Sequence, residues 1–106
     1  MAQEINDSDF EKEVLQSETP VLIDFWAEWC GPCRMLTPVL NQLSEELDNI
    51  KIVKMNIDEN PEVPSALGVR SIPTMMIFKD GKPVDTKVGA QPKNTLTEWI
   101  NSSIVE

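Results

Sequence analysis

Val21-Leu22-Ile23-Asp24-Phe25-Trp26-Ala27, followed after Glu28 by Trp29-Cys30-Gly31-Pro32-Cys33-Arg34, carries the strongest structural signal in this chain. The first seven residues are apolar on both faces except for Asp24, the pattern of a strand covered from both sides. From Cys33 onward, Leu36, Val39, Leu40, Leu43 and Leu47 fall on one stripe, which predicts a helix running to about Leu47. Pro38 lies inside that stripe, removes one backbone donor and is expected to kink it. The two cysteines therefore sit where a buried strand turns into a helix.

Upstream, Ser8 with Glu11 three residues later reads as a capping box, with Phe10, Val14 and Leu15 on one side. A helix from about Ser8 to Ser17 follows, ended by Thr19-Pro20, and a short strand around Gln3–Asn6 precedes it. Downstream, Lys51–Ile57 reads as a strand with Val53, Met55 and Ile57 on one face. Asn60-Pro61 opens a short helix that Gly68 closes. Thr74–Lys79 is a further strand, Asp80-Gly81 its hairpin turn and Pro83–Val88 the returning strand. After Gly89 and Pro92, a last helix carries Leu96, Ile100, Ser103 and Ile104 on one side. Helix-linked strands pair in parallel and the hairpin adds antiparallel pairs, so the expected class is α/β, a mixed sheet with helices on both faces. With no linker or repeat, residues 1–106 read as one domain.

Composition removes several function classes. Nine basic against eighteen acidic residues give a net charge of −9, which disfavours nucleic acid and anionic membranes as partners. No apolar run is long enough to span a bilayer, and the acidic start resembles neither a secretory signal nor a transit peptide. A cytoplasmic, reducing location is the expectation. The absence of histidine excludes Ser-His and Cys-His nucleophile pairs. The four glycines lie too far apart for a phosphate-cradling loop.

Cys30 and Cys33 remain. In a first helical turn, i and i+3 Cβ atoms lie about 5–6 Å apart. A disulfide needs about 3.5–4.5 Å, so a small local adjustment closes the bridge. Three uses compete. A structural staple over so short a loop contributes only roughly 2 kcal/mol in the chain-entropy model. A zinc half-site lacks a third cysteine and any histidine, so no metal is expected. A reversible dithiol–disulfide couple needs only what is present. The helix N-terminus favours a thiolate at the first cysteine, Pro32 suits a first turn, and Gly31 offers nothing to obstruct a substrate.

Trp29-Cys30-Gly31-Pro32-Cys33 closely resembles the active-site motif of the thioredoxin family. Further blocks match in order: Asp24-Phe25-Trp26-Ala27, Lys54-Met55-Asn56-Ile57-Asp58, Ile72-Pro73-Thr74, Phe78-Lys79-Asp80-Gly81 and Lys87-Val88-Gly89-Ala90. Pro64 and Ser71 depart from the family pattern, at a helix and a loop and not at a chemical group. The resemblance implies a thioredoxin fold, a five-stranded mixed sheet flanked by four helices. It further implies reduction of disulfides in other proteins. Cys30 would be the exposed nucleophile and Cys33 the more buried resolving thiol, ending as a redox-active Cys30–Cys33 disulfide. No other cofactor is implied. A separate thioredoxin reductase, either a NADPH-flavoprotein or a ferredoxin-linked enzyme, would recycle a protein that acts as a monomer.

The same resemblance places Asp24 behind Cys33 as a general base with a pKa raised by desolvation, whereas the residues alone also permit an edge strand with Asp24 in water. Lys54 is either the charge partner that modulates Asp24 or an ordinary solvent-facing lysine. Pro73 alone reads as a trans turn proline; the resemblance makes it a cis-proline packed against the cysteines. Trp26 reads as core and Trp99 as packing only. Trp29, Gly31, Pro32, Ile72, Pro73, Val88, Gly89 and Ala90 would form a small apolar docking surface. An oxidant or isomerase of the same family, and a non-catalytic binding subunit using the fold, are the alternatives.

Overall fold

A computed structural model describes residues 2–105. Five strands form one sheet: β1 (Gln3–Glu4), β2 (Val21–Trp26), β3 (Lys51–Asn56), β4 (Thr74–Lys79) and β5 (Lys82–Val88), in the spatial order β1-β3-β2-β4-β5. β3 runs parallel to both β1 and β2, while β4 is antiparallel to β2 and β5. The apolar strand is thus the central one, hydrogen-bonded on both edges and covered on both faces. Alternation divides its side chains. Leu22 joins a cluster with Leu36, Leu40 and Leu43 of α1 (Gly31–Glu46) and Leu96 and Ile100 of α3 (Lys93–Ile104). Val21, Ile23 and Phe25 join the opposite cluster with Ile5, Val14 and Phe78, against which Val63 and Leu67 pack. Val63 belongs to α2 (Glu62–Ala66) and Leu67 caps its end.

The expected class and element order hold, with local corrections. The first helix does not begin at a Ser8–Glu11 box. The Asn6 N–H donates to Asp9 Oδ2 at 2.9 Å and the Asp9 N–H to the Asn6 carbonyl at 2.9 Å, so a 3₁₀ turn opens at Asp7. The segment then widens to π-type turns over Glu11–Leu15, the Gln16 N–H reaching the Glu11 carbonyl at 2.9 Å. β1 is shorter than expected, Gln3–Glu4, although the Ile5 N–H still donates to the Lys54 carbonyl at 2.8 Å. Pro38 lies inside α1, whose last turn closes with the Leu47 N–H on the Leu43 carbonyl. Asp80 and Gly81 both take positive φ, 54° and 77°, as a tight two-residue hairpin requires. A Cβ on Gly81 would lie 2.8 Å from the Leu15 carbonyl oxygen, so this turn also seats the first helical segment. Pro83 sits on the edge strand, where its missing donor is tolerated.

One tie was not foreseen. The Asp7 carboxylate accepts from the Glu62 N–H at 3.1 Å and the Val63 N–H at 2.9 Å, while the Asp7 N–H donates to Asn60 Oδ1 at 2.8 Å. A residue more than fifty positions away thus satisfies the unpaired donors of α2. Asp7→Ala is expected to lower stability by about 1–2 kcal/mol. The check is a urea midpoint that falls at unchanged slope, with Asp7→Asn losing less.

Candidate active site

β2 ends at Trp26, and after three intervening residues the chain turns into α1 through Cys30. The Cys30 N–H reaches back to the Ala27 carbonyl at 3.2 Å, fixing the turn. Cys30 is the N-cap residue of α1, with extended backbone and Pro32 in the first turn. Its sulfur accepts from the Cys33 N–H at 3.2 Å, in the place a Ser or Asp oxygen ordinarily takes. Cys30 and Cys33 are joined in a disulfide, their Cα atoms 5.3 Å apart. Against the expectation of an exposed first cysteine, Cys30 is 4% exposed and Cys33 1%. The Cys30 sulfur is engaged by its partner and by the helix N–H, and the residue is only slightly more exposed than Cys33. Gly31 and Pro32 are exposed, and a Cβ added to Gly31 would meet open space. Arg34 lies over the turn, its guanidinium donating to the Glu28 carbonyl at 3.2 and 2.9 Å.

Trp29 is 66% exposed, and its indole N–H donates to Asp58 Oδ2 at 2.9 Å. Thr74 pairs with Phe25, so Pro73 stands level with the end of β2 from which the cysteine turn departs. The Ile72–Pro73 bond is cis, where the residues alone favour trans. The Gly89 N–H donates to the Pro73 carbonyl at 2.8 Å, which brings the Val88-Gly89-Ala90 segment beside Ile72-Pro73. Ile72 and Gly89 are half-buried, Pro73 buried, and Val88 and Ala90 exposed.

Asp24 is fully buried, which removes the edge-strand alternative. Period-2 alternation puts it on the Leu22 face of the sheet, the face α1 covers. Neither carboxyl oxygen accepts a hydrogen bond among the described residues. Burial pushes its pKa up from 3.8 to about 7; Lys54 acts to lower it and Glu4 to raise it. Lys54 is directly opposite on β3 and 9% exposed, not solvent-facing. Its ammonium lies 4.5 Å from the centre of the Trp26 ring and donates to Thr37 Oγ1 at 3.3 Å, and that hydroxyl in turn donates to the Cys33 carbonyl at 3.1 Å. Trp26 is half-buried on this face. Trp99 does more than pack, since its indole N–H donates to Asp85 Oδ2 at 2.8 Å.

The thioredoxin family model matches residues 1–102. The chain belongs to the thioredoxin family. Relatives named thioredoxin from Rickettsia felis and Rickettsia conorii are each 61% identical to it over 105 residues, 98% of this chain and 100% of theirs. Thioredoxin 1 of Synechococcus elongatus is 53% identical over 105 residues, 98% of either chain. With the Cys30–Cys33 pair, this membership makes the chain a thiol–disulfide oxidoreductase, a protein-disulfide reductase with disulfide-containing substrates and a reductase partner. Among the described residues no helix is long and apolar enough to cross a membrane. Thr37 and Asp58, which hold Lys54 and Trp29, escaped the sequence reading. Asp58 lay within a matching block, but only the folded chain brings it to the indole.

A buried carboxyl that stays protonated to higher pH when folded makes stability fall as pH rises from about 4 to about 7. Below that window both states are protonated and the penalty vanishes. Asp24→Asn is therefore expected to raise stability by about 2–4 kcal/mol at pH 8 and to change it little at pH 3.5. Urea unfolding of both proteins at the two pH values checks this, and a lowered midpoint at pH 8 would contradict it.

Proposed function

We propose that Cys30 is the attacking nucleophile, Cys33 the resolving thiol and Asp24 the general base that takes the Cys33 proton. The observation that carries this reading is the Cys33 N–H donating to the Cys30 sulfur at the head of α1. In the reduced protein that same N–H and the positive end of the helix stabilise a thiolate on Cys30. The thiolate attacks one sulfur of a target disulfide, forming a mixed disulfide and releasing the other target sulfur as a thiolate. Cys33 then attacks the Cys30 sulfur, expelling the second target sulfur; the target gains two electrons and the pair becomes the disulfide seen here. Before that second step the Cys33 proton passes to Asp24, whose raised pKa suits it to the transfer near neutral pH.

Lys54 moderates Asp24 from across the strand pair. Gly31, Pro32 and Pro73 shape the approach, and Trp29, Ile72, Val88, Gly89 and Ala90 receive the substrate backbone. The protein works as a cytoplasmic monomer without a further cofactor, recycled by a NADPH-flavoprotein or a ferredoxin-linked reductase. Presenting the oxidised protein to each reductase with its donor distinguishes the two.

Separating the cysteines tests the roles. Cys33→Ser is expected to accumulate mixed disulfides with target proteins on a non-reducing gel, because the second attack is lost. Cys30→Ser is expected to trap far less, since Cys33 is buried at 1% exposure. Equal trapping by both variants, or by neither, overturns the assignment. The unaltered reduced protein should cleave insulin disulfides, and both variants should lose turnover.

A further inference from the structure

Three charged side chains stand in one row across the sheet. Glu4 on β1 is the register partner of Lys54 on β3, and Lys54 is the partner of Asp24 on β2. Register partners project to the same face, here the face α1 covers; Ala2, two residues before Glu4, packs against that cluster, and its N–H donates to Asn41 of α1. Lys54 is flanked by a carboxyl on either side, one buried and one at the sheet edge. The Trp26 ring and Thr37 hydroxyl occupy further sides of its ammonium, and neither Asp24 oxygen receives a hydrogen bond from it.

We propose that Glu4 is a positioning residue that sets the charge environment of Asp24, by sharing the single Lys54 cation with it across the β1-β3-β2 row. Every charged group bearing on Asp24 fits this arrangement. Lys54 lowers its proton affinity and Glu4 raises it. On β4 the residue opposite Asp24 is Met75, which carries no charge, and on α1 Cys33 is tied up in the disulfide. Glu4 is itself coupled to the same set. Partial desolvation raises its pKa, the Lys54 charge and the Trp26 indole lower it, and Glu59 raises it. Glu4 is exposed, so its charge answers to salt and pH where that of Asp24 is shielded. The edge carboxylate thereby gives the buried one a link to the solvent. The inference builds on Asp24 as the general base, but its primary test does not.

The measurement is the titration of the Asp24 side-chain carboxyl by carbon-detected NMR in the oxidised protein, in Glu4→Gln, in Lys54→Met and in the double variant. Glu4→Gln removes a like charge and leaves Lys54 to Asp24 alone, so the Asp24 midpoint should fall by about 0.5 pH unit at low salt, and by less at high salt. Lys54→Met should raise the midpoint. In the Lys54→Met background the Glu4→Gln shift should shrink, because only direct repulsion is left to remove. Glu4 lies exposed on an edge strand and Gln keeps its shape, so the variant is expected to fold; its amide spectrum confirms that in the same sample. An unmoved or raised Asp24 midpoint in Glu4→Gln, or an equal shift with and without Lys54, overturns the proposal. A second readout separates the two readings: the acid limb of the insulin-reduction rate should follow the Asp24 midpoint. If the NMR midpoint falls and the rate profile stays, Glu4 acts as proposed and Asp24 is not the base.

Discussion

The architecture depends on β2 being buried on both faces and paired on both edges. A strand in that position has no route to solvent for a polar side chain, yet β2 carries Asp24 at its centre. The apolar neighbours make the environment drier. Leu22 precedes it on the same face, Met75 lies opposite on β4, and the apolar stripe of α1 closes over that face. Lys54, which offsets the charge, is directed partly elsewhere, to an aromatic ring and a threonine hydroxyl. The fold thus holds a carboxyl neutral at pH values where an ordinary one is ionised, and the cost of ionising it is borne by the stability of the whole sheet.

The other half of the chemistry comes from the end of the same strand. A chain leaving a central parallel strand enters a helix whose first N–H groups have no partners. In this protein a cysteine sulfur takes one of them. The residue that caps the helix is also one half of the Cys30–Cys33 pair, so the redox chemistry sits at the head of a rigid element. A separate connection, the cis Ile72–Pro73 bond with the Gly89 N–H on the Pro73 carbonyl, lies level with the end of β2. Pairing of β4 with β2 aligns these pieces without any direct link in sequence.

Much of this was legible in the residues because the signals are local. The two-sided apolar run, the leucine stripe and the Asp80-Gly81 turn each demand one backbone geometry, and each was found within a residue or so. The cysteine motif is equally local. What escaped was nonlocal. The N-terminal helix start was misplaced because Asn6 and Asp9 satisfy the opening donors before Ser8 and Glu11 can. Asp7 capping α2 rests on contacts more than fifty residues apart. Pro73 alone pointed to trans; only the likeness of the surrounding block pointed to cis. The resemblance implied an exposed Cys30, but the spacing only locates a sulfur at the turn and says nothing of the direction it faces.

The absence of histidine gives these features a common logic. No ordinary side chain in the chain titrates near pH 7, and proton transfer at that pH goes best through a group that does. Carboxyls are plentiful, but a solvated one holds its proton too weakly by several pH units. Desolvation is the physical means of closing that gap, and it acts in full only at the centre of the sheet. It also has to be moderated, because a carboxyl buried with no cation nearby would stay protonated well above neutrality. Lys54 supplies the moderation from the neighbouring strand, and its own burial keeps its charge from being screened. The value of about 7 at Asp24 is thus a balance between a dry strand and a nearby cation, and whatever else competes for that cation adjusts the balance.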